Sequence, residues 1–68
     1  MKVKVFIEKG KRNILVEVPE GKTIEFILNR LRINPQTVIP VKNGEIVTEQ
    51  EPVSSGDSLK ILSIKLGG

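Results

Sequence analysis

The sequence predicts an α+β domain, a mixed sheet of four to five strands with one helix packed across one of its faces. Three observations predict it. Alternating apolar runs stand near both ends of the chain, a middle stretch repeats its apolar residues at helical spacing, and nine Ile and eight Val supply 17 of the 26 apolar residues. Branched side chains of this kind favour strands over helices.

The first run, KVKVFIE, puts Val3, Val5 and Ile7 on one face and Lys4, Phe6 and Glu8 on the other, which is strand periodicity. KGKRN is a turn-rich break. ILVEVP then resumes the alternation with Ile14, Val16 and Val18 on one face, and Pro19 ends it. These two runs read as a hairpin. In TIEFILNRLRINP, Ile24, Ile27, Leu28 and Leu31 stand at i, i+3, i+4 and i+7, behind Thr23 as N-cap and with Glu25 in the first turn. Pro35 disfavours helical backbone at Asn34, so the helix stops near Arg32. Ile27 and Leu31 are expected to bury against Val5 and Val16.

TVIPVKNGEIV carries Asn43-Gly44 between two apolar runs, a strong short-range hairpin signal. Pro40 has no N–H for a ladder and belongs at an edge or a bulge. TEQEPVSSGD reads as a polar connection with turn chemistry at Ser55, Gly56 and Asp57, and its neighbouring acids Glu45, Glu49 and Glu51 as solvated carboxylates. In SLKILSIKL, Leu59 and Ile61 share one parity, and Lys60, Leu62 and Ile64 the other. The order is ββαββ. The helix stripe needs one apolar sheet face beneath it, and Val3, Val5, Ile7, Ile14, Val16, Val18, Leu59 and Ile61 supply it, a count that fits a β-grasp.

A chain of 68 residues has room for one modest core. It contains no His and no Cys, so the commonest general base, the strongest nucleophile and the usual transition-metal ligands are missing, and so are disulfides. The expectation is a protein with no catalytic residues, no metal and no cofactor of its own. No apolar run approaches the ~20 residues of a membrane span, and a soluble, cytoplasmic protein is expected. The net charge of +3 comes from eleven bases interrupted throughout by eight acids, and Phe6 and Phe26 are the only aromatics, a thin platform for stacking bases. Nucleic acid is not expected as a partner.

VPEGKTIEFILNRLRINPQTVIPVKNGEIV followed by SGDSLKILSIKLGG resembles the ThiS/MoaD family of ubiquitin-like sulfur carriers, across essentially the whole chain. The helix with its INP exit, the NGEIV hairpin, the GD before the last strand and the closing Gly-Gly carry the resemblance together and in that order. It implies a β-grasp whose C-terminal glycine is adenylated by a ThiF/MoeB-type activating enzyme, with ATP bound by that partner, and is then converted to a thiocarboxylate. A sulfur-accepting synthase of thiamine thiazole, molybdopterin or tRNA thiolation would take the sulfur. Carried onto this chain, the activated residue is Gly68, with Gly67 beside it. Residues 1–65 form the domain and 66–68 a flexible tail. Relatives that act as protein modifiers attach their terminal glycine to lysines, which keeps conjugation through Gly68 open as an alternative, beside a non-activated interaction or RNA-binding module.

Glycine suits such a terminus, because an enzyme can close around backbone that carries no Cβ. Phe6, Leu62 and Ile64 lie on the parity opposite the helix and, with Leu66, are the expected docking surface for the activating enzyme. Phe26 lies off the helix stripe and is expected to pack locally. Many relatives have glycine just after the helix where this chain has Arg32. Either Arg32 adopts a left-handed cap or the helix closes differently.

Overall fold

Alternation at the start of the chain becomes a hairpin because the link between its strands supplies the backbone that a reversal needs. In a computed structural model, which describes residues 1–64, strands β1 (Lys2–Ile7) and β2 (Arg12–Glu17) pair antiparallel through a turn at 8–11 in which Gly10 and Lys11 take positive φ. Helix α1 (Ile24–Arg30) follows, then a 3-10 turn at Pro35–Thr37, the strands β3 (Val38–Lys42) and β4 (Glu45–Ile46), and the last strand β5 (Ser58–Ser63). The five strands form one sheet in the order β2-β1-β5-β3-β4. β5 runs parallel to β1 and antiparallel to β3, so the first and last strands are central neighbours. This is the β-grasp arrangement, with the helix across one face.

Asn43 and Gly44 both have positive φ, at 51° and 87°, the geometry of a type I′ turn between β3 and β4. Pro40 marks where that ladder ends. Its carbonyl accepts the Val47 N–H at 3.1 Å, but it has no N–H to return, and β4 stops at Ile46.

The helix begins by means the sequence conceals. Thr23 occupies the N-cap, yet its hydroxyl makes no capping bond. The N–H groups of Ile24 and Glu25 donate instead to the carbonyls of Glu51 and Glu49, at 2.9 and 2.8 Å. The helix ends at Arg30 with Leu31 as C-cap, and Arg32 takes φ 59°. Arg32 N–H bonds to Asn29 O and Ile33 N–H to Leu28 O, the paired bonds of a Schellman motif built without glycine. A left-handed Arg32 is thus the first of the two expected closures.

The core lies between helix and sheet. Ile24, Ile27 and Leu28 are fully buried against Val3, Val5, Leu59 and Ile61, joined by Val16, Val18, Val38 and Val53. Val53 comes from the stretch read as a polar connection; its N–H bonds to Lys22 O, which draws that segment under the start of the helix. Leu31, expected to bury beside Ile27, is only partly buried, because it sits at the C-cap rather than within the helix. Ile7 and Ile14 point inward as expected but are likewise half-buried. Phe26 packs against the core margin, with the Lys22 ammonium 5.4 Å and the Arg30 guanidinium 5.9 Å from its ring centroid.

Candidate functional site

The end of β5 is tied down on both sides. Ser63 N–H donates to the Glu8 carboxylate at 3.0 Å, while Glu8 N–H donates to Ile61 O. On the other side Ile64 N–H donates to Thr37 O at 3.0 Å. Thr37 is itself fixed, since both its N–H and its hydroxyl donate to Asn34 O. The Asn34 side chain in turn accepts Gln36 N–H, so the INP exit from the helix forms the anchor for Ile64. Leu66, Gly67 and Gly68 lie outside the described residues, as does the proposed boundary at residue 65.

Phe6 and Leu62 lie where parity puts them, on the sheet face turned away from the helix and on adjacent strands. The sheet register adds residues that the sequence alone did not connect. Ile39 pairs with Leu62, Val41 with Lys60, Ile46 with Val41 and Leu15 with Lys4, all on this outer face. Leu15 is 62% exposed and Ile46 75%, while Phe6 and Leu62 are half-buried. Lys4 and Lys60 stand among them. Aliphatic side chains left in water this way, with cations between them, are the makings of a protein-docking surface.

Ile64 does not join that face. β5 has ended at Ser63, the alternation lapses, and Ile64 lines a cleft of about 650 Å³ on the helix side, between the end of the helix and the β1–β2 turn. Lys9, Arg12, Arg30 and Arg32 stand around this cleft.

The opposite end holds Glu51 and Asp57, and it is cross-linked. The Lys42 ammonium donates to the Glu51 carboxylate at 2.8 Å and to Pro52 O at 3.0 Å. Asp57 accepts from the Asn43 amide at 3.0 Å and from Ser54 N–H at 2.7 Å, and the Asn43 side-chain oxygen accepts Ser58 N–H. Those donors from Asn43 and Ser54 hold the Asp57 carboxyl below its usual range, with Lys42 nearby adding to the effect. The bond to Glu51 raises Lys42 above its usual range. Asp57 thus serves the turn, as its spacing predicts, and Glu51 is engaged rather than merely solvated. Among the described residues no group of His, Cys, Asp or Glu is arranged to hold a metal ion, and no helix is long and apolar enough to cross a membrane.

Residues 4–68 match the sequence profile of the ThiS family. The chain belongs to that family. Among curated proteins, the sulfur carrier protein TtuB of Thermus thermophilus is 36% identical over 53 residues, covering 78% of this chain and 82% of TtuB. Solved structures agree with the ThiS-family fold. SAMP1 from Haloferax volcanii superposes with a TM-score of 0.79 at 18% identity, each chain covered in full. A chain from the complex of subunits 1 and 2 of molybdopterin-converting factor from Helicobacter pylori gives 0.68 at 20% identity, again with full coverage of both chains. A ubiquitin-like protein from the archaeon Caldiarchaeum subterraneum gives 0.65 at 19%, covering 98% of this chain and all of that one. The sequence predicts four to five strands in ββαββ order, and the observed mixed sheet has that order with the two-residue β4 as its fifth strand, which is the arrangement of this ubiquitin-like fold.

Proposed function

We propose that this ThiS-family chain is a sulfur carrier whose Gly68 carboxylate is adenylated by a ThiF/MoeB-type enzyme and then converted to a thiocarboxylate. The observation that carries the reading is the family match, which runs through the last residue and so includes Gly67 and Gly68. The kinship with TtuB, itself a sulfur carrier, supports it.

The chemistry asks little of the chain. A carboxylate with a pKa near ~3.5 is ionised at neutral pH and is a poor electrophile. Its oxygen attacks the α-phosphorus of ATP bound on the partner, releasing pyrophosphate and leaving an acyl-adenylate. A sulfur nucleophile then forms the C–S bond as the C–O bond to AMP breaks. The chain contributes a fixed point of departure and a glycine end, and four residues beyond Ile64 reach at most about 14 Å at ~3.3 to 3.6 Å each. The outer face bearing Phe6 and Leu62 is the surface the activating enzyme grips, with Leu66 on the way to its active site. Thiamine thiazole synthesis, molybdopterin synthesis and tRNA thiolation all accept the same donor, and the synthase that docks decides among them.

ATP–pyrophosphate exchange with the cognate activating enzyme tests this. Deleting Gly68, or adding Ala after it, displaces the carboxylate by about 3.5 Å and should abolish exchange. Phe6→Asp and Leu62→Asp should keep the fold and raise the concentration needed for half-maximal exchange. Exchange at the wild-type rate in both terminal variants sinks the proposal. Intact-mass analysis of protein from its native cell provides the second reading, in which one oxygen replaced by sulfur marks a carrier and a lysine-linked conjugate marks a modifier.

A further inference from the structure

We infer that the cleft between the end of α1 and the β1–β2 turn is a second docking site, which takes an extended segment of a protein partner with aliphatic residues at its centre and Asp or Glu on its flanks. This goes beyond activation at Gly68 and does not depend on it. The cleft lies across the sheet from the Phe6 and Leu62 face.

Three observations converge. The first is the floor. Ile7, Ile14 and Leu31 are aliphatic side chains that the sequence pattern assigns to the core, yet all three are only half-buried, and all three line this cleft with Ile33 and Ile64. Elsewhere the inward-facing residues close to nearly full burial. Apolar surface that the fold does not cover retains hydrophobic free energy for a partner to release.

The second is the rim. Lys9 and Arg12 come from the β1–β2 hairpin and Arg30 and Arg32 from the helix end, and all four side chains are exposed. Among the described residues no carboxylate lies within salt-bridge distance of any of them, and no Asp or Glu lines the cleft. Glu8, the nearest acid in sequence, has its carboxylate engaged by Ser63 N–H. Arg32 is even held in a backbone conformation that glycine would adopt more cheaply. Like charges crowded without a counter-charge repel one another, and an anionic partner removes that cost.

The third is the edge. β2 is an outermost strand of the sheet, and its residues Arg12 and Ile14 both line the cleft. An extended segment laid there can place aliphatic side chains on the floor while its acidic flanks meet the rim. The shape and chemistry disfavour other anions. A cleft of about 650 Å³ floored by five aliphatic side chains is too large and too apolar for a free phosphate group. Nucleic acid bases stack on aromatic rings, and neither Phe6 nor Phe26 lines the cleft.

The test is a titration of the uniformly 15N-labelled protein, followed by amide chemical shifts. The probe is a short synthetic peptide with Ile, Val and Leu at its centre and Asp and Glu on both flanks. Saturable shifts are expected at Ile7, Arg12, Ile14, Arg32, Ile33 and Ile64, weakening as salt rises. A peptide with Lys in place of the acids and one with Ser in place of the aliphatic residues should both fail to bind. The double variant Lys9→Glu and Arg12→Glu should bind at least about tenfold more weakly with its denaturation midpoint unchanged, and Arg12→Gln should fall between it and the wild type. The inference is overturned if the acidic peptide gives no saturable shifts, or shifts only the outer face at Phe6, Leu15 and Leu62. It is also overturned if inorganic pyrophosphate or an oligouridine moves the cleft amides at lower concentration than the peptide does.

Discussion

The two ends of the sheet handle charge in opposite ways. At the end bearing the Asn43-Gly44 turn, Lys42, Glu51, Asn43 and Asp57 spend their hydrogen-bonding capacity on one another and on nearby backbone. At the end bearing the β1–β2 turn, Lys9, Arg12, Arg30 and Arg32 surround half-covered aliphatic side chains and find no carboxylate among the described residues. The first end uses polar groups to hold the loop of residues 48–57 in place. The second leaves them to the solvent, where they are free for intermolecular use. Polar residues with partners inside the fold therefore read as structure, and those without read as surface for something else.

The largest test of this contrast lies in the core between the two ends. Leu28→Ala, at a fully buried position, should cost about 2 to 5 kcal/mol in denaturant unfolding. Leu31→Ala, in the floor of the cleft, should cost only about 1 to 2 kcal/mol, since its side chain is already partly exposed to water. Equal costs would mean that the cleft is closed in solution.

Smaller effects separate the ends themselves. Asn43→Ala removes a side chain that bridges Asp57 and Ser58 and puts a residue ill-suited to positive φ into the turn, so a loss of about 1 to 3 kcal/mol is expected. Arg12→Ala or Arg32→Ala should stay within about 0.5 kcal/mol of wild type. If the arginine variants proved the more damaging, the assignment of structural and open ends would be reversed.

The smallest effect is in pH. Asp57 has a folded pKa below its unfolded value near ~3.9, so its contribution is present above that value and is lost as pH falls through the folded pKa. Lys42 is raised, so its contribution is present below about 10.4 and is lost as pH rises beyond it. Replacing Asp57 with Asn should flatten the acid limb of the stability profile below about pH 4 and leave the alkaline limb in place. An acid limb as steep as that of wild type would remove Asp57 from the network's energetics.

How far the sequence could be read follows from which interactions are local. The β1 and β2 alternation, the Asn43-Gly44 turn and the halt of the helix before Pro35 each rest on neighbours in the chain, and each is found where its pattern puts it. Backbone carbonyls are anonymous in sequence, so nothing in the residue types marks Glu49 and Glu51 as acceptors for the helix N–H groups. Strand order is also silent. Without the β3–β5 register, Ile39 and Val41 could not be joined to Leu62 and Lys60. Arg12 and Arg30 stand eighteen positions apart in the chain, and only tertiary structure sets them around one cleft. Ile64 kept its parity on paper, but the strand ended one residue too soon for parity to apply.

The pairing of β1 with β5 bears on how the protein comes into being on the ribosome. The central ladder joins Lys4–Ile7 to Ser58–Ile61, segments from opposite ends of the described chain. A nascent polypeptide can form the first hairpin early, but it cannot close the sheet until translation has passed β5. Contacts of such long sequence separation also make folding slow relative to helical domains of similar size. A chain interrupted before Ser58 would lack the strand that flanks both β1 and β3, leave Val3 and Val5 without Leu59 and Ile61, and present itself to proteases as unfolded. Folding thus acts as a checkpoint on synthesis, since a chain that has acquired its native sheet has necessarily been translated almost as far as the glycines.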